Sequence, residues 1–164
     1  MLKRRIMFVC HGNICRSPMA EFITKHILER LGLSDEYLVS SSATSTEELG
    51  NPLYPPAAVE LKQRGIAFNN RRATRLSSSD YDKYDLFVLM DDNNIRNIRR
   101  IFPSDTENKV HKLLSFCGLD RDVADPWYTG CFDEAYDDIF RGCIALLSSI
   151  DCRINESSIS KIVT

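Results

Sequence analysis

Short apolar runs alternate with longer amphipathic stretches along this chain. Runs rich in strand-forming residues predict β-strands at residues 6–9, 37–40, 86–90 and 110–116. Amphipathic stretches predict α-helices at residues 17–31, 55–64, 93–101 and 132–150, and glycine or proline follows the first three. Strands that alternate with helices indicate an α/β fold in which a parallel sheet is covered by helices on both faces.

Polar residues follow three of the predicted strands. In open parallel sheets, ligands bind beyond the carboxyl ends of the strands, where the segments leaving successive strands meet. We therefore expect the loop that begins at Cys10, the pair Ser40–Ser41 and the pair Asp91–Asp92 to surround a common site.

Composition and charge narrow the class of protein. With 164 residues, 43% hydrophobic and 27% charged, the chain has the size and composition of one globular domain. The formal net charge of −2 gives no general attraction to nucleic acid or membrane, so we predict neither partner. No apolar run could cross a bilayer, and the N-terminus leads directly into a strand, so we expect a cytoplasmic protein. We place the domain at residues 1–152 and expect the polar, serine-rich residues 153–164 to form a frayed tail.

Six cysteines raise the question of disulfides or metal binding. The chain has no C-x-x-C pair and its three histidines lie far apart, so we predict no metal and no other cofactor. An oxidised scaffold would be shorter and denser in cysteine, so we expect reduced thiols, with Cys117, Cys143 and Cys152 in the core.

A short loop between the first strand and the first helix places Cys10 six positions before Arg16. Ser17–Pro18 predicts an N-cap with proline at the first helical position. The unpaired N–H groups and the dipole of a helix N-terminus favour an anion. Gly12 and Asn13 tolerate left-handed backbone angles, so the loop can curl with its N–H groups pointing inward.

This placement predicts phosphate chemistry. A helix N-terminus and a neighbouring cation favour the thiolate form, so we expect Cys10 to be a nucleophile, with Ser17 donating its hydroxyl to the sulfur. The planar guanidinium of Arg16 can hold two phosphoryl oxygens. The predicted phosphate-binding residues are His11, Gly12, Asn13, Ile14, Cys15, Arg16 and Ser17. The alternative is a structural cysteine beside an unrelated arginine, and the position between strand and helix argues against it.

The loop is part of the string Val9-Cys10-x-Gly12-Asn13-x-Cys15-Arg16-Ser17-Pro18, close to the N-terminus. This string resembles the signature of low-molecular-weight protein tyrosine phosphatases, and the resemblance covers about residues 6–150. It implies a four-stranded parallel sheet with flanking helices. It also implies hydrolysis of phosphotyrosine and small aryl phosphates through a cysteinyl-phosphate intermediate. The implied partner is a phosphotyrosine-containing protein or peptide, with phosphate as product and inhibitor.

The resemblance assigns further roles. The segment Asp125–Tyr128 matches the acid loop of the family, so Asp125 is the predicted general acid and base. Without the family, Asp-Pro is only a turn signal. Trp127 and Tyr128 are expected to wall the entrance and to favour a flat phenyl phosphate. The residues expected to support the loop are Asn13, Ser17, Ser41 and Asp91.

Two positions depart from the family pattern. His11 follows the nucleophile where relatives often carry an uncharged residue, so it either adds a proton-dependent charge near the phosphate or has no role. Many relatives also carry a histidine near residues 71–75, and this chain has none. The three arginines of that segment, Arg71, Arg72 and Arg75, are interpreted as a solvated surface cluster rather than a site for acidic phosphopeptides.

Three other classes of protein have recognisable sequence requirements. An arsenate reductase on the same fold would need further cysteines near the loop; none occurs between Cys15 and Cys117, and Cys131 beside the acid loop keeps this alternative open. A non-catalytic phosphotyrosine-binding module is expected to have lost Cys10, Arg16 or Asp125, and all three are present. A nucleotide-binding P-loop requires G-x-x-x-x-G-K-[ST], which is absent from the sequence.

Overall fold

A computed structural model describes residues 3–163 of the chain. The strands are β1 (Arg4–Cys10), β2 (Tyr37–Ala43), β3 (Leu86–Leu89) and β4 (Val110–Lys112), and they form one sheet in the order β2-β1-β3-β4. The helices are α1 (Arg16–Arg30), α2 (Pro55–Gln63), α3 (Asp92–Ile101), α4 (Pro126–Thr129), α5 (Phe132–Ile150) and α6 (Glu156–Val163). All three strand pairs are parallel, which confirms the predicted fold class.

The register of β1 aligns the carboxyl ends of its neighbours. Cys10 lies opposite Ala43 of β2, and Val9 lies opposite Leu89 of β3. The loops that leave these strands therefore emerge at the same edge of the sheet, as the alternation of strands and helices predicted.

Strand β1 is central and buried on both faces, which explains its continuous apolar sequence. Ile6 and Phe8 point into the larger core, which contains apolar residues of α1 and α5. Met7 and Val9 point to the opposite face and pack with a smaller core that includes Ile98 of α3. Phe8 is fully buried, and the burial of one such side chain contributes about 1.5–3 kcal/mol.

The bounds of two elements differ from the prediction for a structural reason. Strand β4 ends at Lys112 rather than at residue 116, because Leu113 and Leu114 turn into the core within a 3-10 helix. Helix α1 begins at Arg16 with Cys15 at the N-cap position, so the prediction of Ser17 as the N-cap is wrong.

The expectation of a frayed tail is also wrong for the described residues. Ile154 and Ile159 are buried and join the larger core, and residues 156–163 form α6. The serine-rich composition conceals these apolar positions. Among the cysteines expected in the core, Cys143 is buried, but Cys117 is half-buried and Cys152 is exposed.

The helices within residues 3–163 include none with the length and apolar character needed to span a membrane.

Candidate active site

The loop between β1 and α1 is held at both ends by the chain that follows β2. The N–H of Thr44 donates to the carbonyl of Cys10 at 3.0 Å, and the N–H of Tyr54 donates to the carbonyl of Ile14 at 2.9 Å. Ser45 adds a third backbone bond to the carbonyl of His11 at 3.1 Å. These three bonds hold the curled loop at both ends.

The sulfur of Cys10 receives two polar contacts from its own loop. Its Sγ lies 3.0 Å from Oγ of Ser17, and the N–H of Asn13 donates to it at 3.3 Å. Because the side-chain amide of Asn13 donates to the same Ser17 oxygen at 2.8 Å, the hydroxyl proton of Ser17 is available for the sulfur. The nucleophilic sulfur thus has two polar partners within its own loop.

Asn13 is the residue that turns the loop. It is fully buried and has a left-handed φ of 57°, a conformation that asparagine tolerates. Gly12, which would also tolerate this conformation, is not among the positive-φ residues. Gly12 is small for a different reason: a Cβ there would lie 3.2 Å from Cγ of Glu48.

Arg16 is buried beneath the loop, with 2% of its side chain exposed. Its Nη1 donates to Oδ2 of Asp91 at 2.7 Å and to the carbonyl of Val123 at 2.8 Å. Its Nη2 donates to Oδ2 of Asp125 at 3.3 Å. Burial opposes the charge, but the nearby Cys10, Asp125 and Asp91 outweigh it, so the pKa of Arg16 is raised. The guanidinium is therefore permanently charged and held by two carboxylates.

The chain before α4 brings Asp125 to the same edge of the sheet. The N–H of Val123 donates to the carbonyl of Met90, at the end of β3, at 2.9 Å. Asp125 caps α4, because its Oδ1 accepts from the N–H of Trp127 at 3.1 Å while its other oxygen faces Arg16. Both carboxylate oxygens thus have fixed partners.

A cavity of about 130 Å³ opens above Cys10. The predicted residues that line it are Cys10, His11, Gly12, Ile14, Cys15, Arg16, Asp125, Trp127 and Tyr128. Trp127 is half exposed at this mouth and Tyr128 is 84% exposed. Asn13, Ser17, Ser41 and Asp91 lie behind the lining: Ser41 accepts from the amide of Asn13 at 3.0 Å, and Asp91 holds Arg16.

Not every predicted neighbour belongs to the site. Ser40 instead accepts from the hydroxyl of Tyr84 at 3.0 Å, and Asp92 pairs with Lys112 at 3.0 Å on the surface. The prediction that these two residues join the common site is wrong. Ser40 precedes Ser41 in β2, so alternation along the strand directs its side chain to the other face. Asp92 follows Asp91 at the start of α3, and the turn of the helix directs its side chain away from the loop.

Sequence reasoning missed two carboxylates at the mouth, Glu47 and Glu48, which line the cavity. Glu47 pairs with His11, since its Oε2 lies 2.9 Å from Nε2 of the imidazole. Both residues lie in the segment after β2, which leaves the sheet at the same edge as the Cys10 loop, and this position could have indicated them.

The interpretation of the three arginines as a surface cluster holds for two of them. Within residues 3–163, the guanidinium groups of Arg72 and Arg75 donate hydrogen bonds only to the carbonyls of Gly50 and Leu76, at 3.4 and 3.3 Å. Arg71 instead turns inward and donates from Nη2 to Oδ1 of Asn13, so for this residue the interpretation is wrong.

Among residues 3–163, no group of three or more histidine, cysteine, aspartate or glutamate side chains is arranged to hold a metal ion. The polar groups converge on the cysteine sulfur instead.

A cysteine at the end of a central parallel strand, an arginine at the following helix N-terminus and an aspartate on a neighbouring loop define a cysteine-dependent phosphatase site. The family model described as low molecular weight phosphotyrosine protein phosphatase matches residues 5–156. The chain belongs to this family, which confirms the resemblance noted in the sequence.

Individual relatives agree with this assignment. The low molecular weight protein-tyrosine-phosphatase YfkJ of Bacillus subtilis is 35% identical over 147 residues, which cover 88% of this chain and 94% of that protein. Its crystal structure superimposes with a TM-score of 0.89 and 34% identity, covering 94% of this chain and 99% of that one. A Schizosaccharomyces pombe low molecular weight phosphotyrosine protein phosphatase is 36% identical over 80% of this chain and 87% of that protein.

One solved structure carries a different substrate in its name. DARP, a Drosophila arginine phosphatase, matches with a TM-score of 0.81 and 30% identity, covering 89% of this chain and 97% of that one. The relatives named here are all phosphatases, which favours a phosphatase over the arsenate reductase alternative.

Proposed function

We propose that the protein hydrolyses phosphotyrosine in proteins or peptides, with Cys10 as nucleophile, Arg16 as phosphate clamp and Asp125 as general acid and base. The observation that supports this most directly is that all three side chains line the same cavity. Inorganic phosphate is the expected product and a competitive inhibitor, because it fits the same loop.

In the first step, the thiolate of Cys10 attacks phosphorus, an S–P bond forms and the P–O bond to the tyrosine breaks. Asp125 gives its proton to the departing phenolic oxygen, so the leaving group departs as a neutral phenol. Arg16 follows the equatorial oxygens as the phosphoryl group flattens, and the loop N–H groups face the same charge. Ser17 and the N–H of Asn13 contact the sulfur throughout.

In the second step, water attacks the cysteinyl phosphate from the side that the phenol has left. Asp125, now a carboxylate, takes a proton from this water, and the S–P bond breaks to return the Cys10 thiolate. The contacts from Ser17 and Asn13 that stabilise the attacking sulfur also stabilise it as the leaving group.

The mouth of the cavity supports a preference for aryl phosphates. Trp127 and Tyr128 extend the walls above the loop, so a phosphate must reach Cys10 on a flat, rigid stem. The short aliphatic stem of phosphoserine would leave its phosphorus short of the sulfur.

The test is turnover of matched peptides that carry phosphotyrosine, phosphoserine or phosphoarginine, with phenyl phosphate as a small substrate. We expect turnover of phosphotyrosine and phenyl phosphate, with loss of both activities in Cys10→Ser, while Cys131→Ser stays active. Preference for phosphoarginine would move the chain toward the specificity named for the Drosophila relative. Activity of Cys10→Ser comparable to the native protein would refute the assigned nucleophile.

An arsenate reductase would need further cysteines near Cys10 that can form a disulfide and pass it outward. Cys15 lines the cavity, whereas Cys131, just before α5, does not line it and donates from its N–H to Oγ1 of Thr129 at 3.1 Å. We therefore expect no turnover in a thioredoxin-coupled arsenate assay.

The chemistry also supports a reducing compartment, and we propose the cytoplasm. Cys10 must remain a free thiolate to act, and all six cysteines are free in the structure. This location is tested by cell fractionation. Phosphatase activity is measured in each fraction, and the activity of cells that carry Cys10→Ser is subtracted as background.

A further inference from the structure

Arg71 lies outside the loop, but its side chain points inward and contacts Asn13. Its Nη2 donates to Oδ1 of Asn13, and the N–H of Thr74 donates to the same oxygen at 3.1 Å. The amide nitrogen of Asn13 in turn donates to Ser17 at 2.8 Å and Ser41 at 3.0 Å. All four hydrogen-bonding positions of this amide are therefore filled.

The orientation of Asn13 determines how two hydrogen-bond donors are placed against the sulfur of Cys10. Its backbone N–H contacts Sγ of Cys10 at 3.3 Å, and its amide fixes the hydroxyl of Ser17, which lies 3.0 Å from the same sulfur. Because Asn13 has a left-handed backbone, its position depends on the side-chain contacts that hold it. A group that holds this amide consequently positions both donors to the sulfur.

Glu21 provides a counter-charge to Arg71. Glu21 of α1 accepts from Ser41 Oγ at 2.6 Å and from Lys25 at 2.6 Å, so it reaches Asn13 through Ser41. Burial lowers the pKa of Arg71, and the charges of Glu21 and of a Cys10 thiolate oppose that effect. A guanidinium nevertheless stays charged across the working pH range.

A second nitrogen of the Arg71 guanidinium sets this residue apart from its two arginine neighbours. Nη1 is buried and has no hydrogen-bond partner among residues 3–163, whereas Arg72 and Arg75 reach only backbone carbonyls. Burying a guanidinium with one nitrogen unpaired is costly, so a surface role does not account for the inward orientation.

We propose that Arg71 is a positioning residue of the phosphatase site, which fixes Asn13 by a hydrogen bond and places a permanent positive charge behind the Cys10 thiolate. This inference rests on the proposed function, since it assumes that Cys10 reacts as a thiolate. As a consequence, the group that holds Asn13 keeps its charge across the working pH range. The ionisable groups that face Arg71 are Glu21 on α1 and Cys10 at the end of β1.

Three variants separate the charge from the hydrogen bond. Arg71→Gln keeps an amide donor and removes the charge, Arg71→Lys keeps the charge without the planar fork, and Arg71→Ala removes both. Arg72→Gln is the matched control, because it removes a neighbouring arginine charge from a surface position. Thermal unfolding of each variant shows whether the fold is retained.

Two readouts are needed, and one of them does not depend on turnover. The first is kcat for phenyl phosphate. The second is the pH at which iodoacetamide alkylates Cys10 at half its maximal rate, with the modified peptide identified by mass spectrometry. This second readout follows the thiolate even if the proposed substrate is wrong, whereas the activity of Cys10→Ser tests the proposed function itself.

In Arg71→Ala we expect kcat to fall roughly 10-fold, because the donors to the sulfur are misplaced, and in Arg71→Gln, which keeps a donor to Asn13, we expect a smaller loss. The alkylation midpoint should rise by about 0.5–1 pH unit, because a positive charge has been lost near the thiolate. Arg71→Lys should restore the midpoint more fully than kcat, and Arg72→Gln should leave both unchanged. An unchanged midpoint in folded Arg71→Gln, or an equal shift in Arg72→Gln, would overturn the proposal.

Discussion

The indole of Trp127 packs against the ring of Tyr54, with the two ring centroids 4.7 Å apart. Tyr54 also lies 6.0 Å from the ring of Phe132, at the start of α5, and its N–H donates to the carbonyl of Ile14 in the loop. One residue thus connects the floor of the cavity to its aromatic wall. The proposed aromatic wall therefore depends on a residue outside the cavity lining.

Replacing Tyr54 with leucine should weaken aryl substrate binding. Loss of the aromatic pair frees Trp127 to move, and such pairs contribute about 0.5–1.5 kcal/mol, so KM for phenyl phosphate should rise about 2- to 10-fold with a smaller change in kcat. Steady-state kinetics measure both constants. Phe68→Leu, which changes an aromatic residue packed on Phe22 instead, is the control. If Trp127→Ala raises KM and Tyr54→Leu does not, Tyr54 does not support the wall.

Replacing Asp125 with asparagine should reveal its role through the leaving group. A general acid contributes roughly 10²–10⁴-fold, and most of this is needed by poor leaving groups. Asp125→Asn should therefore slow phenyl phosphate much more than nitrophenyl phosphate, as kcat/KM on the two esters will show. Asp122→Asn removes a nearby surface carboxylate, paired with Lys112 at 2.8 Å, and should affect neither ester. Equal losses on both esters in Asp125→Asn would indicate that Asp125 only holds Arg16.

The fold was predictable from sequence because local patterns and the sheet agree. The apolar run ending at Val9 is buried on both faces, and α5 has the predicted bounds of residues 132 and 150. The loop was predictable for the same reason, since strand, turn residues and helix start are contiguous. What failed depends on contacts between distant segments: Arg71 reaches Asn13 across 58 positions, and Tyr54 reaches Trp127 across 73. Neither pairing leaves a periodic or local signal in the chain.

Cys15 should protect the nucleophile from irreversible oxidation. Burial, together with the neighbouring Cys10, raises the pKa of Cys15, so Cys15 remains a thiol while peroxide oxidises the thiolate to a sulfenic acid. Attack by Cys15 sulfur on that sulfenic acid forms a disulfide and releases water. Inactivation by mild peroxide should then be reversed by dithiothreitol in the native protein and be largely irreversible in Cys15→Ser.

Mass spectrometry provides the decisive reading. Cys15→Ser should accumulate sulfinic acid at Cys10, whereas Cys131→Ser, which changes a cysteine outside the cavity, should recover like the native protein. Equal recovery of activity in Cys15→Ser and the native protein would remove the protective role and leave the assignment of Cys10 as nucleophile intact.

Asp151 joins the C-terminal segment to the rest of the molecule. It has 2% of its side chain exposed, and its Oδ2 accepts from the hydroxyl of Tyr37 at 2.9 Å and from Nη2 of Arg153 at 2.8 Å. Arg153 also pairs with Glu36 at 2.9 Å, next to β2. These contacts hold the chain in place at the point where Ile154 enters the core, so the segment after residue 152 is anchored by charge as well as by apolar packing.

The acid dependence of stability should report this anchor. Hydrogen bonds from Arg153 and Tyr37 outweigh burial and hold the pKa of Asp151 well below its usual range. A carboxyl whose pKa is depressed by folding stabilises the native state above its unfolded pKa, about 3.9, and this contribution is lost as pH falls toward the folded pKa. Asp151→Asn should thus lower the free energy of unfolding by about 1–3 kcal/mol at pH 7.

Urea unfolding of native protein and Asp151→Asn at a series of pH values measures the difference directly. The two curves should be furthest apart near neutral pH and should begin to converge below about pH 4, where the unfolded chain binds the proton first. Asp35→Asn, which changes an exposed carboxylate in the same region as Glu36, should track the native protein at every pH. A gap between native protein and Asp151→Asn that stays constant through the acid range would mean that Asp151 acts through shape and hydrogen bonding alone, without its charge.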